Sequence, residues 1–539
     1  MTVPAPDGSQ QAFAELPLVN VLLNAPAGCG KTEALAYRTR SLVDRGYVES
    51  PRKILALSYS NKAKENLSGR MRSHFGPRWR EHVTVTNFHG LATRVIQNHG
   101  VTIGIPRDVV LPNKAWRARR LRELNIGYRE APLFESVLRE AKADDADDEE
   151  VLRRIYASGL ETAIEYEEGL RTENRIDYDD QIRHAQRVLA NSNVARLYIA
   201  HFAAVMVDEV QDLSLQQLSL VHAIGNDCVT YVGDPAQGIY SFAGAAPVEV
   251  FKRIRARSPI ENRLEYSYRS APAVLGAVNS LAREMGTQEV QCGQPNRWSD
   301  NGHVILLQSS DSEQEALKLL AFIDDKDANR IMSFGVVARR ATRLNDFRAI
   351  AEEQGRGFTD WGEPTHIPRV VDLLHHHLRA AEAIKGDTLK SLEALCHEAI
   401  DPADAETHDE ISSACAALQN LVNSGASVAE AVAKCRVAPA QLDRPVPPGI
   451  HVLNGHLGKG QEFDWIVVVG LEEGYVPDFR NTSGPELEEE LRVLHVMVSR
   501  ARYGVVLTSA EWTRTSYGWR NTTESQWLGL LTPAVTEEL

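Results

Sequence analysis

The chain has 539 residues, 43% of them hydrophobic and 24% charged, with a formal net charge of −14. That balance predicts a soluble globular protein of about three or four compact units, and it offers nucleic acid no overall attraction, so any such binding must come from local patches. No apolar run nears the ~20 residues of a membrane span, Met1–Gln10 lacks a basic-then-apolar secretory pattern, and the scattered cysteines 29, 228, 292, 396, 415 and 435 argue for a reducing cytoplasm rather than a disulfide framework or zinc site.

The apolar run Val19–Leu23 reads as a buried parallel strand. Ala25-Pro26-Ala27-Gly28-Cys29-Gly30-Lys31-Thr32 follows, and Glu33–Val43 then has helical apolar spacing. Strand, glycine-rich turn, Lys-Thr and helix form the context of a phosphate-binding loop, whose backbone N–H groups and helix N-terminus face phosphate oxygens. Lys31 would reach the β- and γ-phosphates of ATP, and the Thr32 hydroxyl would hold Mg²⁺. Ala25 stands where the strict pattern has glycine.

Further on, Val205-Met206-Val207-Asp208-Glu209 is an apolar strand running into carboxylates. Strand ends are where open α/β sheets bind ligands. Asp208 is the natural Mg²⁺ partner and Glu209 the natural base for an attacking water. The bland alternative is a solvated acidic turn, but a phosphate loop upstream supplies the other half of one mechanism. Short strands are predicted at Val229–Asp234, Arg263–Tyr268, Val304–Gln308, Phe334–Ala338, Ile450–Leu453, Trp465–Gly470 and Val505–Ser509. Helical patterns between most of them predict two parallel α/β units, interrupted by mainly helical stretches at 91–200 and 361–447. The run Asp144–Glu150 reads as a solvated, mobile loop. His375-His376-His377 lies in a helical pattern, where consecutive side chains point to different faces and make a poor metal site.

Taken in order, these motifs resemble those of UvrD/Rep-type superfamily 1A DNA helicases. Gln10-Gln11 resembles the adenine-reading glutamine motif, with either glutamine able to serve. Ile54–Ala63, which includes Asn61, looks like motif Ia, and Thr86–Leu91, which includes Phe88 and His89, like motif Ib. Asp208–Asp212 matches the DExQD box, Gly233–Phe242 motif III, Leu264–Ser270 motif IV, Gly455–Phe463 motif V and Val498–Arg502 motif VI. The resemblance implies an α/β fold of two RecA-like parallel-sheet P-loop domains. Domain 1A would comprise 1–90 and 201–268, and domain 2A 269–360 and 448–539. A helical insertion 1B would occupy 91–200, and a reduced helical insertion 2B 361–447.

The same resemblance implies the roles of single residues. Arg269 and Arg500 would reach the γ-phosphate from 2A as cis arginine fingers, with Gln237 sensing it. Tyr268 would stack on adenine and Glu462 would contact the ribose or phosphate side. Phe88 and Phe242 would stack on bases of single-stranded DNA, with Asn61, His89, Arg339 and His456 touching the strand. The bland readings are core phenylalanines and surface ion pairs. Trp116–Arg120 is a basic helix that would either grip duplex phosphates or form a solvated face. The tail tryptophans 512, 519 and 527 read as packing anchors.

Three departures from the family pattern stand out. Ala243 replaces the usual arginine after the motif III aromatic, Glu33 replaces an arginine beside the adenine, and the second insertion is short. The expected activity is an ATP- and Mg²⁺-dependent 3′→5′ single-stranded DNA translocase or helicase, acting on single strands and single/double-strand junctions. The alternative is a DNA-sensing ATPase that regulates a nuclease. Size and layout are similar to the helicase-like subunit of Gabija antiphage systems, whose partner is an OLD-family nuclease. An unrelated phosphate-loop kinase or transporter ATPase would not explain the ordered motifs after Asp212.

Overall fold

The computed structural model describes residues 4–112, 114–126, 130–362, 365–366, 368–400, 405–423, 425–437, 446–457, 459–515 and 518–538. The chain forms two compact units. One comprises Met1–Asn87, Arg196–Gly362 and Asp443–Leu539, the other Phe88–Ala195 and Glu363–Leu442.

The first unit contains two large, mainly parallel sheets and a short parallel pair of strands. One is built from β1 (Val21–Asn24), β2 (Lys53–Ser58), β3 (Val83–Asn87), β4 (Phe202–Val207), β5 (Val229–Gly233) and β6 (Ile260–Arg263), in the order β3-β2-β4-β5-β1-β6. The central strands are largely apolar because helices cover both faces of a parallel sheet; every residue of β4 and β5 is buried, the polar Thr230 included. The reversal of strand order between β1 and β4 brings the ends of both strands to one crevice, the ligand-binding position of an open α/β sheet.

Arg263–Tyr268, expected as one strand, is two. β6 ends at Arg263, Leu264 turns into the core with no exposed surface, and β7 (Tyr266–Ser267) pairs with β8 (Gln291–Cys292). Leu264 N still donates to Asn24 O at 2.9 Å, but Tyr268 N has moved onto Gly28 O, also at 2.9 Å. The break therefore carries motif IV from the sheet edge onto the phosphate loop.

Chain order then brings β9 (His303–Asp311), β10 (Ser333–Ala338), β11 (Phe358–Asp360), the short ladder strands β12 (Thr365–His366) and β13 (Arg436–Val437), and β14 (Gly449–Asn454), β15 (Phe463–Val469), β16 (Ala501–Thr515), β17 (Gly518–Asn521) and β18 (Glu537–Glu538). The second sheet has the order β11-β14-β10-β15-β16-β9-β18, with β17 antiparallel on the far end of β16. Trp465 and Phe334 anchor one face, Phe463, Met497 and Trp527 the other. Of the tail tryptophans only Trp527 is an anchor; Trp512 and Trp519 stand 45% and 47% exposed on the β16–β17 hairpin.

The second unit is mainly helical. One core gathers Phe134, Leu138, Val151, Ile155 and Tyr166; another gathers Val370, Leu374, Leu392, Ile411 and Leu418. The helix Lys114–Glu123 packs against Ala405–Asn423, so the two insertions meet within this unit. It also holds a buried ionic cluster: the fully buried Lys142 ammonium lies 2.8 Å from Glu167, 2.8 Å from Asp177 and 2.9 Å from Asp180. The acidic run is not simply a loop. Asp147 caps the helix Asp148–Ser158 by accepting from Glu150 N, and Asp148 pairs with the buried Arg183 at 2.6 Å. Carboxylates in a first helical turn are stabilised by the helix dipole, which composition alone does not reveal.

Candidate nucleotide and DNA site

The phosphate loop joins β1 to the helix Lys31–Asp44. Gly28 and Gly30 have φ of +78° and +76°, backbone that a side chain strains. At Gly28 space matters as well: an added Cβ would lie 2.5 Å from Ser267 Oγ and 2.6 Å from Arg269 Cβ. Glycine here lets motif IV pack directly on the loop. The Cys29 thiol is fully buried and pushed up to about 12 by that burial, so it is structural rather than reactive.

The structure separates Gln10 from Gln11. Asp7 caps the helix Gly8–Ala14 by accepting from Gln10 N at 2.8 Å, and Gln10 Oε1 accepts from Asp7 N at 3.2 Å. This leaves Gln10 Nε2 to donate to Cys29 O on the loop at 3.4 Å. Gln11 instead bonds to Glu15 at the surface. Asp7 also accepts from the Tyr268 hydroxyl at 2.5 Å, so one carboxylate orients both Gln10 and Tyr268.

Lys31, Thr32, Asp208, Glu209, Gln237, Tyr268, Arg269, Glu462 and Arg500 line one cleft of about 510 Å³, with Pro26, Ala27, Gly28 and Gly30 along its loop side. Ala25 is buried at the end of β1, where its N donates to Gly233 O at 2.9 Å. Lys31 Nζ is 3.2 Å from Glu209 Oε2. Burial alone would lower the Lys31 ammonium, but Glu209, Asp234 and Asp208 together hold it above its ordinary value. Asp208 is pushed up by burial and by the neighbouring Glu209 charge, and it accepts a hydrogen bond from Thr32. Glu209 is held low by Lys31 and Lys459 in spite of its burial. A hydroxyl and an under-compensated carboxylate in contact are the donor set that a hard, oxygen-preferring cation needs, so Thr32 and Asp208 fit Mg²⁺. Glu209 has φ +56°, a strained conformation for a residue with a side chain, at the turn out of β4.

Two arginines enter from the other side. Arg269 Nε donates to Glu462 at 2.8 Å and its Nη1 to Ser499 O at 3.2 Å. Arg500 is 2% exposed, and its Nε donates to Val496 O at 3.0 Å. Among the described residues its Nη2 has no hydrogen-bond partner. Burial and the nearby Arg269 lower this guanidinium to about 9, the signature of a cation short of an anion. Gln237 is buried, its Nε2 donating to Asp234 at 2.6 Å.

The residues expected at DNA fall into separate places. Phe242 is 62% exposed, and its ring meets His456 edge-to-face at 5.2 Å. Phe88 is corrected: at 1% exposure it is a core side chain in the helix Phe88–His99, with no face free to stack. His89 bonds to Gln181 at 3.0 Å within the helical unit. Arg339 follows β10 as expected but is engaged in a two-pronged pair with buried Glu490, at 2.8 and 2.6 Å. Asn61 opens the helix Asn61–Phe75, but its side chain lies outside the described residues. In the basic helix, Arg117, Arg119 and Arg120 all face carboxylates, Glu135 and Glu123, which favours the solvated-face reading.

Sequence reasoning missed Lys459, Tyr59 and Tyr240, which line the same cleft. The Tyr59 and Tyr240 rings are parallel within 12° at 6.1 Å, and Tyr240 meets Phe242 at 5.9 Å. The aromatic before Asn61 and the one before Phe242 were the available signals; what hid them is that their proximity exists only after folding.

The UvrD/REP helicase N-terminal domain profile matches residues 7–256, and the UvrD-like helicase C-terminal domain profile matches 340–511. The chain is 28% identical to the ATP-dependent DNA helicase UvrD1 of Mycobacterium leprae over 349 residues, 57% of this chain and 42% of that protein. It is 26% identical to the ATP-dependent DNA helicase UvrD2 of Mycobacterium tuberculosis over 569 residues, 94% of this chain and 78% of that one. DNA helicase II of Escherichia coli is 24% identical over 629 residues, covering 95% and 85%. With both halves of the profile pair matched around a shared nucleotide cleft, the chain belongs to the UvrD-type superfamily 1 family of ATP-dependent DNA helicases.

Proposed function

We propose that this chain hydrolyses ATP with Mg²⁺ and uses the cycle to move 3′→5′ along single-stranded DNA, opening single/double-strand junctions. The observation that carries the proposal is Arg500, a buried guanidinium whose Nη2 has no partner among the described residues, in the cleft that Lys31, Thr32, Asp208 and Glu209 also line. Lys31 and the loop amides would bind the phosphates, and Thr32 and Asp208 the metal. Glu209 would orient the attacking water and take its proton. Arg269 and Arg500 would neutralise charge on the transferred phosphoryl group, so hydrolysis would require the two sheets' strand-end loops to close together. Gln10 and Tyr268, both tied to Asp7, would hold the base, and Glu462 the sugar side. Gln11 would take no part. Phe242, exposed beside His456, would stack on a base.

ATP turnover with and without single-stranded DNA tests the motor, and displacement from 3′- and 5′-tailed duplexes tests polarity. DNA-stimulated turnover with displacement from the 3′-tailed substrate is the expected result. Displacement from the 5′ tail only would overturn the polarity. Strong DNA-stimulated turnover without displacement would favour the second reading, a DNA-sensing ATPase regulating a nuclease of the OLD type, which rests on Ala243 and the small second insertion.

A further inference from the structure

Lys459 lies in the loop between β14 and β15 of the second sheet, yet its ammonium is bonded entirely to the first sheet's loops. Nζ donates to Asp212 Oδ1 at 2.6 Å, Asp212 Oδ2 at 2.8 Å and Gln237 O at 2.7 Å. It also sits 4.7 Å from the centre of the Tyr240 ring. The side chains of Lys459 and Asp212 are 8% and 4% exposed. An ammonium has three donors, and here all three are committed.

What surrounds this contact sets its meaning. Asp212 follows Glu209 by three residues, and Gln237 lies in the nucleotide cleft. On the other side, Tyr240 leads to Phe242, and Lys459 leads back through its own loop to His456, which touches Phe242. The segment 237–242 is thus tied at two points: by Lys459 beside the nucleotide cleft and by the Phe242–His456 ring contact at the exposed face. A buried pair is poor evidence for stability, because desolvation offsets most of the attraction, and its best-attested use is to define one arrangement against others.

We propose that Lys459 is a positioning residue that couples the nucleotide cleft to the Phe242–His456 face, by locking the second sheet's loop onto Asp212, Gln237 and Tyr240. This rests on the motor reading above. Coupling is read as the ratio of single-stranded DNA affinities with and without adenylyl imidodiphosphate, a non-hydrolysable ATP analogue. In the unmodified chain that ratio differs from one by about fivefold or more, the usual size of such couplings. Lys459→Met brings it to within about twofold of one, and Lys459→Arg, which keeps the charge, restores part of it. Asp212→Asn, which keeps the shape and removes the partner charge, gives the same loss, and it replaces Lys459→Met if that variant does not fold. A ratio unchanged in these variants overturns the latch while leaving the motor intact. A ratio of one in the unmodified chain, with no DNA stimulation of turnover, overturns the motor reading and the latch with it.

Discussion

Lys31 Nζ stands 3.2 Å from Glu209 Oε2, which joins the loop after β1 to the turn after β4. The contact crosses the crevice of the first sheet and places the cation proposed to bind phosphate beside the carboxylate proposed to orient the attacking water. Lys31→Ala removes the first of the attractions that hold Glu209 low, leaving Lys459 and the Gln211 hydrogen bond. It is expected to reduce ATP turnover by about 10² or more, the scale for losing one preorganised charge contact. Steady-state phosphate release checks this, and turnover within a few fold of the unmodified chain would sink the site.

The two arginines should separate binding from chemistry. Arg500→Ala is expected to lower kcat by about 10³, the lower end for an arginine finger, while ATP affinity changes little. Arg269 is already held by Glu462 and Ser499 O, so Arg269→Ala also frees Glu462 and should raise KM as well as lower kcat. Equal effects of both variants on nucleotide affinity alone would argue against fingers.

Phe242 and Phe88 make opposite predictions from the same residue type. Phe242→Ala should weaken single-stranded DNA binding by about 1–3 kcal/mol, the worth of one stacked base, with little change in melting temperature. Phe88→Ala should instead destabilise the fold by about 3–5 kcal/mol, as buried Phe→Ala changes do. DNA titrations and denaturation curves on the pair distinguish them, and reversed outcomes would return Phe88 to the DNA face.

Gly28→Ala tests the packing of motif IV on the loop. The added methyl would meet Ser267 Oγ at 2.5 Å and Arg269 Cβ at 2.6 Å, at a φ of +78°. Backbone strain of this kind costs about 1–3 kcal/mol. Turnover is expected to fall because Arg269 is displaced as well as the loop. Gly46→Ala, also at positive φ (+76°) but with nothing within 4 Å, controls for backbone strain alone.

Lys142→Met would leave Glu167, Asp177 and Asp180 buried together without their shared cation. Breaking such a cluster costs about 3–5 kcal/mol. The loss should appear as earlier proteolysis within 88–195, while nucleotide binding by the first unit persists. Stability unchanged by this substitution would mean that the carboxylates are protonated in the folded chain.

Local patterns along the chain were enough to read what lies close to each motif. β1, the phosphate loop and the following helix were legible because apolar runs, glycines and Lys-Thr act through local backbone and through burial on two faces of a sheet. The same holds for β4 with its carboxylates and for the alternation that separates two sheets. What depends on packing partners far along the chain was legible only after folding. Gln10 rather than Gln11 faces the loop because Asp7 occupies its Oε1 and frees its Nε2. Phe88 is core and Phe242 is not because burial belongs to the neighbours and not to the residue. Lys459 carries no helical or strand pattern, and its importance arises from three acceptors supplied by two other loops. Side-chain identity constrains the backbone over a few residues, whereas solvent exclusion and charge pairing are set by surfaces that meet only in the folded chain.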